Sequence, residues 1–322
     1  PNEKKGRILA GHDDGIQAAS CKGEVVIEHC VFHGLMDDPI NVYGNYVRAV
    51  ERVNDHTLRC KHMHGQSLNL NWGRRGDKVG FINNQNLQTV ATGVVKSFTR
   101  IDKELFDLSF EEVIPEKALV GYALENLTWT CNVSISDSYF KSCRARGVLV
   151  SMPGKVVIRN NIFESSGSAI LLSADANSWY LSGSVSDVLI TKNVFKSPCL
   201  TSMYQYCEGV ISIAPEIPEK SDKTPFHRNI VITDNEFHLF DYPVLYALSV
   251  ENIEFSNNRL IRSHDFEPWH PRKYGLTFES CRKVSVEGNT QEGGILGNTI
   301  KLIHSSPKEL KQDKQSPFKL VK

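Results

Sequence analysis

Two pairs of adjacent aspartates near the start of the sequence offer the clearest chemistry. Asp13-Asp14 is followed by Gly15-Ile16, and Asp37-Asp38, 24 residues later, is followed by Pro39-Ile40. On neighbouring strands, about 4.8 Å apart, these four carboxyls would share one patch. Like charges that close raise at least one pKa, so a proton donor would stand beside ionised acceptors. Hydrolysis of a glycosidic bond needs this combination, with an acid for the leaving oxygen and a base for water.

The same residues allow two other interpretations. An Asp-Asp pair before Gly or Pro is ordinary turn chemistry, although two pairs in register repel each other and bring no benefit to folding. Clustered carboxylates also suit a hard cation such as Ca²⁺. The residues by themselves leave catalysis, turns and calcium binding open.

A repeated frame organises the elements that must position these side chains. The frame is apolar-x-apolar-x-x-(Cys, Ser or Asn)-x-apolar, and its alternation predicts short strands with one inward face. A basic spacing near 23 residues predicts one coil per repeat and a stack of coils, which is a parallel β-helix. We expect Asn at the bend to tolerate left-handed φ and to bond other Asn side chains along the stack. The copies are residues 25–32, 133–140, 156–163, 188–195, 230–237, 253–260 and a weaker 284–289.

The frame also predicts a register. Ile40, Val148 and Leu171 each lie eight residues after the last apolar position of a copy, so they are expected to occupy equivalent positions on the following strands. Aligning Ile16 with Ile40 places the two aspartate pairs side by side on neighbouring coils.

Two regions depart from the frame. Between residues 45 and 125, short candidate strands separated by Asn, Asp and Gly predict an inserted small antiparallel barrel or sandwich. Beyond residue 306 the chain is rich in Lys, Gln and Pro, so residues 307–322 are expected to form a frayed tail. The predicted organisation is therefore all-β, with coils over 1–44 and 126–306 and the insertion over 45–125.

Composition excludes several classes of function. The 322 residues include 37 basic and 37 acidic side chains, which argues against a general binder of nucleic acid or of membrane surfaces. No apolar run is long enough for a membrane-spanning helix. Eight cysteines without zinc-ligand spacing favour buried thiols over a metal site and leave disulfides open. Because the chain begins at Pro1 without a leader, we expect a processed chain or a fragment.

Five motifs give the sequence a family resemblance. In order they read HDDG…LMDDPINVYG, ENLTWT, RARGVLV, AILLSADANSWYLSG and ISIAPEIPE. They resemble glycoside hydrolase family 110, which contains exo-acting α-1,3-galactosidases, including enzymes that remove the terminal galactose of the blood group B antigen. The resemblance covers nearly the whole sequence and implies a right-handed parallel β-helix carrying a β-barrel. The family is longer at its N-terminus, so further coils are expected before Pro1.

The resemblance also implies a mechanism. It matches Asp14 to the general acid, and Asp37 and Asp38 to a pair that holds and activates water. Family members invert configuration without a metal, so no metal and no cofactor are expected. In inverting enzymes the two catalytic carboxyl groups are usually about 6.5–9.5 Å apart. The backbones of neighbouring coils are only about 4.8 Å apart. The side chains are therefore expected to point away from each other across a pocket.

Other residues are candidates for binding the sugar, and each has a structural alternative. Two arginines follow the insertion and could hold hydroxyls or simply pair with the aspartates. A loop tryptophan could stack on galactose or cover the core. A glutamate between prolines could accept a hydroxyl or belong to a surface loop, and a histidine beside the first aspartate pair could bond a hydroxyl or be structural. These candidates are Arg144, Arg146, Trp179, Glu216 and His12.

Two positions in the motif DANSWYLSG complete the set. Asp175 is a ligand or a turn residue, and the turn is favoured. Leu181 stands where an acidic residue is common in the family, so a polar contact with the substrate is expected to be missing.

The predicted function is an inverting exo-α-1,3-galactosidase whose partner is a glycan with a terminal α-galactose, in a periplasmic or exported location by resemblance. One alternative is a different β-helix enzyme, of the polygalacturonase or lyase type, acting on an acidic polysaccharide. Another is a carbohydrate-binding β-helix without catalysis. A homodimer is left open.

Overall fold

The computed structural model describes residues 3–201, 208–221 and 223–321. In these residues three parallel sheets stack into a β-helix, and a closed antiparallel barrel is inserted after the first coils. The fold predicted from the sequence, an all-β parallel β-helix with an inserted antiparallel barrel, is confirmed. No helix in the described part of the chain is long and apolar enough to cross a membrane.

The strands before the barrel are β1 Ile16–Ala19, β2 Gly23–Glu28, β3 Val31–His33 and β4 Ile40–Asn45. The barrel contains β5 Val47–Asn54, β6 Thr57–His62, β7 Lys78–Ile82, β8 Thr89–Arg100, β9 Leu105–Phe110 and β10 Ala123–Asn126. The sequence predicts the insertion at 45–125. Short 3₁₀ helices lie at Glu3–Lys5, Gly65–Ser67 and Pro307–Glu309.

The coils after the barrel carry the remaining strands. These are β11 Cys131–Ser136, β12 Tyr139–Lys141, β13 Val148–Ser151, β14 Val156–Arg159, β15 Ile162–Glu164, β16 Ile170–Leu172, β17 Leu181–Ser182, β18 Ser186–Thr191, β19 Val194–Phe195, β20 Ile211–Ile213, β21 His227–Thr233, β22 Glu236–Leu239, β23 Leu245–Leu248, β24 Val250–Ser256, β25 Arg259–Arg262, β26 Leu276–Glu279, β27 Arg282–Glu287, β28 Thr290–Glu292, β29 Thr299–Ile303, β30 Leu310–Gln312 and β31 Lys319–Val321.

One strand of each coil belongs to each sheet. Sheet A, which carries the candidate site, runs β1-β4-β13-β16-β20-β23-β26-β29-β31, with β17 pairing beside β4. Sheet B runs β2-β11-β14-β18-β21-β24-β27-β30, and sheet C runs β3-β12-β15-β19-β22-β25-β28. Each coil buries its inward side chains only against the coils above and below, so the stack shares one continuous core.

Stacked side chains mark the inside of the β-helix. Phenylalanines of sheet C lie over one another with ring centroids 4.6–5.2 Å apart, and these are Phe32, Phe140, Phe163, Phe195 and Phe237. Each ring buries a large apolar surface against the coils before and after it.

A ladder of asparagine amides runs beside the rings. Asn161 Nδ2 donates to Asn193 Oδ1 at 3.0 Å, and Asn193 repeats this contact with Asn235. The predicted amide contacts are confirmed, but the predicted left-handed φ is wrong for the ladder position. The residue before it takes the positive φ instead, as at Lys192 (φ 55°) and Asp234 (φ 56°), because the ladder side chain must point into the core.

The barrel closes in the order β10-β5-β6-β9-β8-β7 and has its own apolar core. A second cluster joins it to the coils, combining Tyr46, Ile82 and Leu87 with Ala174 and Tyr180. The barrel is therefore packed against the β-helix through buried side chains and is not connected to it by the chain alone.

The expectation of a frayed tail at 307–322 is wrong for the described residues. β30 pairs with β27, β31 pairs with β29, and Phe318 is buried. A closing coil needs few inward apolar residues, so a Lys- and Gln-rich segment can still form one.

The described cysteines are free thiols, five of them buried, and Cys207 lies outside the described residues. Burial raises the pKa of the Cys131 thiol and of the Cys143 thiol to about 11. Such thiols are packing residues.

Candidate active site

The register of sheet A brings the two aspartate pairs together. Ile16 lies opposite Ile40, and the Gly15 N–H donates to the Asp38 carbonyl at 2.9 Å. The predicted alignment of the two pairs on neighbouring coils is confirmed. Val148 also lies opposite Ile40, but Ile170, not Leu171, occupies the next equivalent position. The turn before β16 is one residue shorter than predicted, so Leu171 points outward.

Three of the four carboxyls meet. Oxygens of Asp14, Asp37 and Asp38 lie within 4.8 Å of one another. The Asp13 side chain is 88% exposed and lies at the rim of the pocket beside the equally exposed His12, whose Nδ1 is 2.9 Å from its carboxylate. The expected cluster of four is thus a cluster of three, with Asp13 exposed at the edge of the cavity.

Asp38 forms a buried ion pair with Arg146. The guanidinium donates to both carboxylate oxygens, from Nε at 2.8 Å and from Nη2 at 2.7 Å, and the Arg146 backbone N–H adds a third contact at 3.2 Å. The two side chains are 1% and 9% exposed. Burial raises the pKa of Asp38, and the neighbouring Arg146 charge opposes this effect. This two-pronged geometry holds both side chains in one orientation.

Asp14 accepts three hydrogen bonds. The donors are Gln17 Nε2 at 2.8 Å, Asn41 Nδ2 at 3.2 Å and the Asp38 backbone N–H at 3.2 Å. Asn41 Oδ1 is buried without a hydrogen-bond partner among the described residues. A buried acceptor left in this state is a suitable partner for a substrate hydroxyl.

Asp37 is partly exposed and lies close to both Asp38 and Arg146. Its side chain is 36% exposed, it accepts from the Asp38 N–H at 3.1 Å, and it lies 3.9 Å from Arg146 Nη2. Partial burial, followed by the Asp14 charge, raises the pKa of Asp37, whereas the charge of Arg146 lowers it. Asp37 therefore combines access to the pocket with a raised pKa, a combination that is common at functional sites.

Outward side chains of sheet A form the floor of a cavity of about 130 Å³. Leu149 pairs in register with Asn41 and with Leu171, so these three residues lie side by side. Leu171 is 1% exposed and Leu149 is 5% exposed. Apolar floor residues next to converging polar groups are typical of a binding site for a small molecule.

The motif DANSWYLSG forms one wall. Asp175 is buried, and its carboxylate accepts the backbone N–H groups of Asn177, Ser178 and Trp179. The turn role favoured for Asp175 is what these contacts describe. Leu181 lines the cavity and packs against the cluster that contains Leu149 and Leu171, so an apolar side chain suits this position.

The remaining candidates divide in two groups. Arg146, Trp179 and Glu216 line the cavity together with the three carboxyls. Arg144 is exposed, its Nε donates to the Met36 carbonyl at 3.0 Å, and neither it nor His12 lines the cavity. The structure therefore brings together all three predicted catalytic aspartates and three of the five predicted binding residues.

The clustered oxygens raise the question of a cation. Three carboxylates within 4.8 Å are of the type that binds hard cations. Both oxygens of Asp38, however, already face the Arg146 guanidinium, which occupies the position of a counter-ion. A metal at this place would have to displace that ion pair, so the residues fit an arginine better than a metal.

Several cavity residues were not predicted. Gln17, Asn41 and Leu149 occupy one outward row, each directly after an inward residue of sheet A. The period-2 alternation around Ile16, Ile40 and Val148 contained that signal. Gln66 comes from the barrel, and nothing in its local sequence indicates that it reaches a site on the coils.

Comparison with known proteins gives consistent matches. The family model described as GLAA-B beta-barrel domain II matches residues 57–124. Alpha-1,3-galactosidase B of Bacteroides thetaiotaomicron is 48% identical over 322 residues, which is 100% of this chain and 52% of that protein. Alpha-1,3-galactosidase A of Bacteroides fragilis is 38% identical over 315 residues, covering 97% of this chain and 51% of the relative. The chain thus spans about half the length of these curated relatives.

Proposed function

The chain belongs to the family of these α-1,3-galactosidases, glycoside hydrolase family 110, and on this premise we propose that it is an exo-acting glycosidase that removes a terminal α-1,3-linked galactose from a glycan. The observation that carries the proposal is the cluster of Asp14, Asp37 and Asp38 at one end of a small cavity. The relatives' printed names supply the linkage and the sugar.

The size of the cavity supports action at a chain end. A volume of about 130 Å³ corresponds to about four water molecules at about 30 Å³ each, so the cavity is small. The apolar floor of Leu149 and Leu171 suits a sugar ring face, and Asn41 Oδ1 offers an acceptor for a hydroxyl. A small cavity of this kind favours removal of terminal residues.

The carboxyls have distinct roles in the proposed reaction. Asp14 protonates the oxygen that leaves C1 of galactose. Asp37 takes a proton from the water that attacks C1 from the opposite face, and Asp38, held by Arg146, helps to keep this water in place. One C–O bond breaks, another forms, and the products are galactose and the shortened glycan.

The stereochemistry of the reaction is proposed from the family. The closest carboxyl oxygens lie within 4.8 Å, a separation shorter than the about 6.5–9.5 Å usual for inversion. Proton NMR of the first product formed tests the proposal directly. Inversion gives β-galactose first, whereas α-galactose as the first product would contradict it.

The central experiment measures galactose release from Gal-α-1,3-Gal in the presence of EDTA. The parent protein should release galactose, and Asp37→Asn and Asp14→Asn should each lower kcat/KM by about 10²–10⁴-fold. Asp234→Asn is the control, since Asp234 is exposed on a remote coil and Asn tolerates its positive φ. No release by a parent protein with an intact β-rich circular dichroism spectrum, or equal rates in all variants, would contradict the proposed function.

We also propose a periplasmic or exported location, because the family resemblance places the substrate outside the cytoplasm. Fractionation of cells that produce the protein, followed by immunoblotting, tests this location. Recovery with cytoplasmic markers alone would contradict it.

A further inference from the structure

Trp179 is an exposed aromatic side chain on a rigid loop. Its residue is 46% exposed although it lines the cavity. The loop backbone is fixed below it, because the buried Asp175 carboxylate accepts the Trp179 N–H and the Ser178 N–H. The indole ring is thus an accessible aromatic surface in the lining of the cavity, where it can contact a bound sugar.

The loop that carries Trp179 is bonded to both the β-helix and the barrel. β17 pairs antiparallel with the end of β4, where Leu181 lies opposite Asn45. A Cβ at Gly44 would lie 2.2 Å from Ser182 Oγ and 3.3 Å from the Ser182 carbonyl oxygen, so glycine suits this close pairing. Asn177 Nδ2 donates to the Asn84 carbonyl of the barrel at 2.8 Å. Trp179 therefore has a fixed position between the coils and the barrel.

The barrel adds two residues beside the indole. The His64 ring lies 5.1 Å from the Trp179 ring, at an angle of 40°. His64 Nδ1 accepts the Gln66 backbone N–H at 3.3 Å, which leaves the proton of the neutral ring on Nε2. The Gln66 side chain is exposed and lines the cavity. An aromatic face and two polar groups thus meet at the rim.

The rim is more exposed than the floor of the cavity. Asp38 and Leu171 at the floor are 1% exposed, whereas Trp179 is 46% exposed. A terminal galactose that reaches the carboxyls fills the floor, so the next sugar, joined through the glycosidic oxygen, lies at the rim. We propose that Trp179, His64 and Gln66 form the binding site for the sugar that leaves with this oxygen. The inference rests on the proposed function and makes the barrel part of substrate selection.

The test compares two substrates that share galactose and differ in the leaving group. Gal-α-1,3-Gal carries a leaving sugar, and α-galactosyl fluoride carries none. Trp179→Ala should lower kcat/KM for the disaccharide about tenfold and lower kcat/KM for the fluoride by a clearly smaller factor. His64→Ala and Gln66→Ala should give smaller losses in the same direction, and Trp179→Phe should recover most of the activity. Phe266→Ala, at an aromatic that is 45% exposed and outside the cavity, is the control.

Equal losses on both substrates would overturn the proposal, because Trp179 would then serve galactose itself. Unchanged activity on the disaccharide would overturn it as well. If the parent protein hydrolyses neither substrate, the proposed function fails. Calorimetry with the same protein then still tests whether the rim binds a second sugar. Tighter binding of the disaccharide than of galactose, lost in Trp179→Ala, would support the sugar site, and equal binding of both sugars would contradict it.

Discussion

At the scale of single residues, the pairing of Asp38 with Arg146 organises the candidate site. The two side chains lie 108 residues apart in sequence and share three hydrogen bonds in a buried place. Removing two charges from water costs several kcal/mol per ion, which only well-formed hydrogen bonds offset. Retaining such a pair next to Asp37 suggests a role in chemistry more than in stability.

Arg146→Met should destabilise the protein, since it leaves the Asp38 carboxylate buried without its partner. We expect the free energy of unfolding to fall by about 3–5 kcal/mol, measured by urea denaturation at pH 7. Arg159→Met, at an exposed arginine of β14, is the control and should change stability by less than about 0.5 kcal/mol. The double variant Arg146→Met with Asp38→Asn should recover part of the loss. Similar losses in Arg146→Met and the control would contradict this view.

At the scale of elements, the asparagine ladder keeps successive coils in register. Asn193 is nearly fully buried, donates to the Ile158 carbonyl and to Asn235, and accepts from both the backbone and the side chain of Asn161. Each amide satisfies groups on the coils before and after it. The bend between sheets B and C thus repeats with the same geometry in each of these coils.

Asn193→Ala should lower the free energy of unfolding by at least about 2 kcal/mol, because several buried polar groups lose their partners. Asn193→Ser is the matched variant, since Ser138 already fills the equivalent place one coil before Asn161. Serine keeps one donor and one acceptor, so we expect a smaller loss. If urea denaturation gave the same loss in free energy of unfolding for Asn193→Ala and Asn193→Ser, the amide contacts would not contribute to stability.

At the scale of the whole molecule, the junction between barrel and β-helix contains a buried carboxyl. Glu125 on β10 is buried, its Oε1 lacks a hydrogen-bond partner among the described residues, and Tyr46 lies near enough to be affected by its charge. Burial raises the pKa of Glu125 to about 7. The folded state is therefore favoured more when the Glu125 carboxyl is protonated than when it is ionised.

Stability should consequently depend on pH through Glu125. The unfolded chain titrates this group near 4.5 and the folded chain near 7. The favourable contribution is thus complete below about pH 4.5 and is lost as the pH rises to about 7. The loss is on the order of 3 kcal/mol.

Urea denaturation of the parent and of Glu125→Gln between pH 4.5 and 8 measures this effect. The difference between the two proteins is the useful quantity, because it cancels other groups such as the buried His227, whose pKa is lowered to about 3. We expect the variant to gain stability relative to the parent as the pH rises. A difference that stays constant with pH would contradict the assignment.

The stacked coils, the insertion and the alignment of Ile16 with Ile40, which brings Asp14 beside Asp38, were all predictable from the sequence. These features follow from side-chain alternation and from the spacing of copies, which are properties of one strand and its neighbours. The outward row with Gln17 and Asn41 could have been read from the same alternation.

Which carboxyls come together depends on contacts between parts of the chain that are distant in sequence. Asp13 and Asp14 are adjacent in sequence, yet one is exposed and the other accepts three hydrogen bonds. The contact of Arg146 with Asp38 depends on the barrel returning the chain to the next coil, and the position of Gln66 depends on how that barrel packs. Local patterns do not encode such contacts, because a turn shorter by one residue or the tilt of an inserted barrel redirects side chains without changing the repeat.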